Sequence, residues 1–263
     1  MDAVPAGDIG VVCVCCHFIS SAASVAILMV VNYDLSEQLV TFDFYGWLVE
    51  QAHKGATEIV FDTRKYRPAE KVHPDDVLRQ RFETIIAPGP ALLGLPSREG
   101  EDGERVGCGY KFPHWIKFGR EHNGFRRLGS VKPAGTAKYT VTMRESPVDL
   151  WRNSNRDAWI KFAGEIGARV IEDYEVEPIH LHDRMALYAG AEMNFGISGG
   201  PMWMLTLSEY PCMVFGLARH DRYFAKCGMH TRENMPWCKE DQFTFWENDD
   251  YRNIIAKFRQ WNR

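Results

Sequence analysis

Residues 139–216 decide the fold. Tyr139-Thr-Val-Thr-Met143 reads as a strand and ends in Arg144-Glu145-Ser146. Helical spacing follows from Asn155 to Ile166, then a strand from Ala168 to Ile171 and a second helix over about Leu181 to Gly190. A third strand, Met193-Asn-Phe-Gly-Ile197, runs into Ser198-Gly199-Gly200-Pro201 and an apolar helix, Met202 to Ser208, and Cys212-Met-Val-Phe215 closes the series. Alternating strands and helices of this kind form a parallel sheet covered on both faces. Ligands of such sheets bind where strands end and helices begin. Arg144-Glu145-Ser146 and Ser198-Gly199-Gly200-Pro201 therefore both fall where a ligand is expected.

Glycines let a backbone approach a ligand closely, and Pro201 suits a first helical position. The helix start supplies free N–H groups and a positive dipole end, a seat for a diphosphate. The plain alternative is a tight turn between two buried elements. Asn194, near the end of the preceding strand, either donates to the same ligand or caps the turn. Arg144 can grip phosphate through two nitrogens from a strand end, unless it only pairs with Glu145 or Glu172. In Asn153-Ser154-Asn155 one residue caps the following helix, which carries Asp157 in its first turn, and the others line the site. His180-Leu-His182-Asp183 opens the next helix; residues two apart do not share a helical face, which argues against a metal pair there. His182 or Asp183 is read as a cap, with a ribose- or base-holding role as the other reading.

Outward from this stretch, the N-terminal half begins with an almost uncharged run, residues 9–31. It is long enough for a span of about 20 residues, yet only acidic side chains, Asp2 and Asp8, precede it, whereas a secretory signal carries basic ones. A buried strand from Val25 to Val31 behind a loose leader, residues 1–26, is the reading adopted. Asn32-Tyr-Asp-Leu-Ser36 reads as a turn with Ser36 as N-cap, followed by a helix with apolar positions 39, 42, 45, 48, 49 and 52 up to Gly55. Glu58 to Phe61 is the next strand. This strand–helix–strand lacks the glycine fingerprint of dinucleotide sites. Asp34, at its first strand-end turn, is the carboxylate best placed to act as a general base.

Further on, a charged loop spans residues 62–76, with a short helix at Val77 to Phe82 and a strand at Thr84 to Ala87. Pro88-Gly89-Pro90 opens a helical turn, and residues 96–109 and 122–136 read as loops, with a domain boundary near residue 130. The tail after Phe215 reads as irregular until an amphipathic helix between Asp249 and Trp261, able to pack back across the face between the domains.

The bulk numbers are ordinary for a globular chain: 263 residues, 45% hydrophobic and 25% charged. A net charge of −4 argues against a general nucleic-acid binder. The seven cysteines (Cys13, Cys15, Cys16, Cys108, Cys212, Cys227 and Cys238) are odd in number and irregular in spacing, which points to a reducing compartment. Cys13-x-Cys15-Cys16-His17 lacks the spacing that lets zinc ligands converge.

Val141-Thr-Met-Arg-Glu-Ser146, Arg152-Asn-Ser-Asn155, Trp159 and above all Ala186 to Met202, with its Gly-Ile-Ser-Gly-Gly-Pro core, resemble the C-terminal domain of GT-B-type glycosyltransferases. The likeness is to uncharacterised enzymes of bacterial surface-polysaccharide clusters and, more distantly, to heptosyltransferases and fucosyltransferases. Asn32 to Ser36 with Val40 to Phe44 is similar to their opening. The resemblance implies two Rossmann-like domains of parallel sheet facing a cleft, an acceptor side over 27–130 and a nucleotide-sugar donor side over 131–263. It implies Arg144, Ser198, Gly199, Gly200 and Pro201 on the donor diphosphate; no catalytic base carries over from it, so Asp34 as base and Glu145, Asn153, Asn155, Asn194, His182 and Asp183 as lining residues rest on their positions in this sequence alone. It also implies no cofactor and no metal, because basic groups neutralise the leaving diphosphate; Asp75-Asp76 and Asp249-Asp250 lack the loop context of a metal-binding acidic pair. The partners expected are a nucleotide-sugar donor and a glycan or lipid-linked acceptor, in the cytoplasm or at the inner face of a membrane. A sugar-nucleotide epimerase on the same scaffold, and a non-catalytic nucleotide- or carbohydrate-binding protein, are the competing readings.

Overall fold

The computed structural model describes residues 28–35, 42–64, 74–107, 112–122, 124–146, 150–174, 179–217, 224–225, 228–229 and 233–263. The expected leader, the Cys13 to His17 cluster, the Ser36 cap, Cys108 and Cys227 lie outside these residues.

Two sheets, each wholly parallel, carry the described structure. The first holds β1 (Met29–Asp34), β2 (Ala56–Asp62), β3 (Ser97–Glu99) and β4 (Glu104–Arg105), in the order β3-β2-β1-β4. The second holds β5 (Tyr139–Glu145), β6 (Arg169–Tyr174), β7 (Met193–Ile197), β8 (Cys212–Phe215) and β9 (Gln242–Thr244), in the order β6-β5-β7-β8-β9. The helices are α1 (Phe44–His53), α2 (Asp75–Arg81), α3 (Phe112–Glu121), α4 (Arg156–Ile166), α5 (Leu181–Ala189), α6 (Gly200–Thr206) and α7 (Tyr251–Trp261). The strand–helix alternation read over residues 139–216 is thus present throughout.

Side-chain alternation sorts the second sheet into two faces. Tyr139, Val141, Met143, Met193, Phe195, Ile197, Met213 and Phe215 share one core with Ala158, Trp159, Phe162 and Ala163 of α4 and Ile254, Ile255 and Phe258 of α7. The opposite face, with Cys212 and Val214 beside Met185 and Tyr188 of α5, joins a larger core that includes Val31, Tyr33, Ile59 and Phe61 of the first sheet. Apolar material is therefore continuous between the two sheets. The last helix belongs to the other core: Phe258 sits edge-on to Tyr139 (5.5 Å) and Phe162 (5.6 Å), so α7 covers the outer face beside α4 rather than crossing between the halves.

Helix α1 is buried from Phe44 to Gln51, which fits a helix enclosed by other elements rather than an amphipathic surface one. Phe44 is its first residue, and Phe42 belongs to the turn ahead of it. Trp115 of α3 lies so close to Gly46 that a Cβ there would meet the indole at 2.5 Å.

Other expectations are corrected. Asn32-Tyr33-Asp34 is strand, not turn, within β1, Met29–Asp34; residues 25–27 of the strand expected from Val25 lie outside the described residues. Thr84 to Ala87 is not a strand: Phe82–Ile86 continues α2 as a π-helical turn, because Leu78, Phe82, Ile85 and Ile86 recur at helical spacing and are all buried. Within 96–109 the structure places β3 and β4, exposed and charged as edge strands often are. Arg98 braces them through Glu58 (3.0 Å) and Asp102 (2.5 Å).

The segment read as a boundary near residue 130 is strapped to both halves. Gly129 N–H donates to Leu92 O (2.7 Å), and Leu128 N–H donates to Leu207 O (3.0 Å). Arg127 donates to Thr206 O (3.0 Å) and Ser208 O (3.2 Å), satisfying carbonyls at the end of α6. Among the described residues no helix is long and apolar enough to cross a membrane.

Candidate functional site

In the second sheet the chain lays β6 on one side of β5 and then crosses to place β7 on the other. This is a doubly wound order, and ligands of such sheets bind at the carboxyl ends of the strands where the order reverses, here β5 and β7. Arg144 and Ser198-Gly199-Gly200-Pro201 stand at those two strand ends.

Arg144 is the sixth residue of β5, so it shares a face with Thr140 and Thr142 while Glu145 points to the opposite one. The loop after β5 folds back to hold it. Arg144 N–H donates to Ser154 Oγ (2.8 Å), Ser154 N–H donates to Arg144 O (3.0 Å), and Arg144 Nη1 donates to Asn153 Oδ1 (3.2 Å). Asn153 Oδ1 also accepts from Ser146 N–H (2.7 Å), and its Nδ2 donates to Ser146 O (3.0 Å). Asn155 caps α4 by accepting from Ala158 N–H (3.4 Å), as one residue of the triplet was expected to do. Its own N–H donates to the buried Asp249 (2.7 Å), which also accepts from Trp159 Nε1 (2.9 Å). Asp249 is thus committed to the α4 start, and Asp250 caps α7.

Glu145 does not join Arg144. Its carboxylate pairs with Arg156 on the α4 side, and Arg156 also reaches Glu172 at 2.8 Å. The pleat separates two neighbours that the sequence placed in one site.

The glycine turn meets Arg144, but its glycines are occupied by protein. A Cβ at Gly199 would lie 3.2 Å from Arg144 Cδ, so the absence of a side chain admits the arginine stem. A Cβ at Gly200 would lie 2.7 Å from Cβ of Phe42 and 2.8 Å from its ring. Phe42 thereby seats the turn ahead of α1 against the start of α6. Ser198 and Pro201 are buried, and Ser198 N–H donates to Phe215 O (2.8 Å). Gly200→Ala is expected to destabilise the fold by about 1–3 kcal/mol, since backbone-near atoms of Phe42 must move. Thermal denaturation with an unchanged far-ultraviolet spectrum measures this, and an unaltered melting temperature would contradict the contact.

Asn194 is neither ligand donor nor cap of the 198 turn. It is fully buried near the start of β7, accepting from Thr140 Oγ1 (2.6 Å) and donating to Tyr188 O (3.3 Å) and Pro211 O (3.0 Å). His182 and Asp183 are exposed; the cap of α5 is His180, whose Nδ1 accepts from His182 N–H (3.3 Å).

Asp34 ends β1 in register with Asp62 at the end of β2. Arg105 bridges the two carboxylates at 3.0 Å each, and Arg64 adds hydrogen bonds to Asp62 at 2.9 and 2.7 Å. The Arg64 hydrogen bonds hold the Asp62 carboxyl below the usual range. Tyr33 points into the shared core, so by strand alternation Asp34 lies on the other face of the first sheet. Asp34 thus belongs to an acid–arginine cluster of its own.

Two features escaped the sequence reading. Ser146 and Ser154, read there as neighbours of the ligand, instead bond back to the loop that holds Arg144. Arg184 is fully buried, 5.5 Å from the Phe42 ring and with Nη1 donating to Tyr188 Oη (3.3 Å). A signal existed for it: Leu181, Arg184, Met185 and Tyr188 stand at i, i+3, i+4 and i+7, which puts the arginine on the buried stripe. Among the described residues no group of three or more His, Cys, Asp or Glu is arranged to hold a metal ion.

No protein-family model matches the chain, and no curated protein matches it. Among solved structures it is similar to the bacterial iron-containing dodecameric glycosyltransferase TibC from enterotoxigenic E. coli H10407, at 12% identity and a TM-score of 0.43. That match covers 90% of this chain and 77% of the other.

Proposed function

We propose that the chain is a metal-independent glycosyltransferase of GT-B type, moving a sugar from a nucleotide-diphosphate-sugar to a glycan or lipid-linked acceptor. Its two parallel sheets are the cores of an acceptor side (27–130) and a donor side (131–263) facing a cleft. One observation carries the reading: Arg144 and Gly199 meet at the switch point of a doubly wound sheet, with the arginine oriented by Asn153. In this reading the guanidinium and the backbone of the 198–201 turn stabilise the negative charge that grows on the departing diphosphate. Holding donor and acceptor together lowers the remaining barrier, and Asp34 takes the acceptor's proton. Arg144 supplies the countercharge that a metal otherwise would. The family resemblance read from Ala186 to Met202 points the same way.

The Arg105 bridge between Asp34 and Asp62 favours a second reading, nucleotide binding without turnover, because it gives Asp34 a structural partner. A thermal-shift panel of UDP, GDP and ADP, with CMP as control, tests donor binding, since a ligand of the folded state raises the melting temperature. The nucleotide that shifts it then defines the sugar donor for a turnover assay on wild type and Asp34→Asn. Binding with no transfer by either protein selects the second reading. Full transfer by Asp34→Asn removes Asp34 as base, and no shift with any nucleotide sinks both readings.

A further inference from the structure

Trp151 is the only exposed residue among the chain's eight tryptophans. It is 59% exposed, and its neighbour Leu150 is 69% exposed. Both stand on a single 3-10 turn, Leu150–Arg152, in the loop between β5 and α4. That turn is tied to the proposed diphosphate site: Asn153 N–H donates to Leu150 O (3.1 Å), and the same Asn153 orients Arg144 and ties Ser146. The indole is therefore carried on the loop that aims the arginine, two residues from the side chain that contacts it. The guanidinium of Arg152 sits 6.0 Å from the Trp151 ring and adds positive charge beside it.

An exposed indole on the loop that orients an arginine offers a face for a flat ring whose attached phosphates reach that arginine. Every nucleobase has a π-face able to stack on an indole. We propose that Trp151 is the platform on which the base of a nucleoside diphosphate stacks while its phosphates lie against Arg144. This rests on the donor site of the glycosyltransferase reading and adds its base-recognition element. Stacking tolerates any base, so Trp151 contributes affinity and leaves base choice to polar groups.

The test is calorimetric titration of wild type, Trp151→Ala and Trp151→Phe with UDP, GDP and ADP, and with inorganic pyrophosphate, which carries no base. Trp151→Ala is expected to weaken the preferred nucleoside diphosphate by about 10- to 100-fold. Pyrophosphate affinity stays at the wild-type value, and Trp151→Phe restores most of the loss. An Arg144→Ala arm separates the two ideas: if it alone loses pyrophosphate, the donor site stands whatever Trp151 does. Unchanged nucleotide affinity in Trp151→Ala overturns the platform, as does an equal loss of pyrophosphate. Failure of wild type to bind any nucleotide overturns it together with the donor site. Sedimentation with vesicles of phosphatidylcholine and phosphatidylglycerol covers the rival: vesicle binding lost in Trp151→Ala, with nucleotide affinity intact, assigns the Leu150–Trp151 pair to a lipid surface instead.

Discussion

Arg144→Ala is expected to weaken binding of the preferred nucleoside diphosphate by about 10- to 100-fold, the loss of one charge-assisted hydrogen bond at roughly 1.5–3 kcal/mol. Its fold is expected to survive, because the network behind it runs through backbone as well as side chain. Ser154 Oγ still receives the residue-144 N–H, and Asn153 still receives Ser146 N–H. Arg144→Lys keeps the charge but not the planar fork, so it is expected to recover only part of the affinity. Asn153→Ala leaves the guanidinium in place without the acceptor at 3.2 Å that orients it, and its effect is expected to fall between. Titration at two ionic strengths separates the electrostatic share, since salt screens an exposed pair. Wild-type affinity in a well-folded Arg144→Ala protein would falsify the donor site.

The largest effect on stability is expected from Trp159→Ala, a loss of about 3–5 kcal/mol. The indole is fully buried, edge-on to its helix neighbour Phe162 (5.9 Å) and to Phe215 of β8 (5.6 Å), and so ties α4 to the outer face of the second sheet. Its Nε1 also donates to Asp249, so truncation takes one donor from a buried carboxylate. Trp159→Phe keeps most of the packing and loses that donor, and is expected to cost about 1–3 kcal/mol. Urea unfolding with an unchanged m-value measures both. The same Asp249 receives the N–H of Asn155, so loosening α4 loosens the 153–155 segment that orients Arg144. Nucleotide affinity is therefore expected to fall in Trp159→Ala well below its melting temperature. A cost under about 1 kcal/mol would mean that α4 is held by other contacts.

How much of this was legible in the chain differs between its halves. Strand β8 identifies itself, because a strand buried on both faces needs an unbroken apolar run whatever surrounds it, and β7 is marked by the small turn residues that follow it. Strands β3 and β4 do not. Ser97, Arg98 and Glu99 carry no apolar signal, and become a strand only because β2 offers a free edge to pair with. Phe82 to Ile86 shows the converse: β-branched residues that favour a strand are held helical by the burial of Phe82, Ile85 and Ile86 on one side.

The sequence by itself determined that Arg144 and the glycine turn end strands of one parallel sheet, since apolar runs and turn residues set where strands stop. Only the tertiary structure decided what each side chain then meets. Which face of β5 packs on α4 is a long-range fact, and it sends Glu145 to Arg156 while Arg144 lies along Gly199. Room opened by a glycine is visible in sequence, but its occupant at position 200, Phe42, comes from more than 150 residues away. The ion pairs of Asp34 were likewise out of reach, because Arg105 reaches it from β4, a strand that exists only through its pairing with β1.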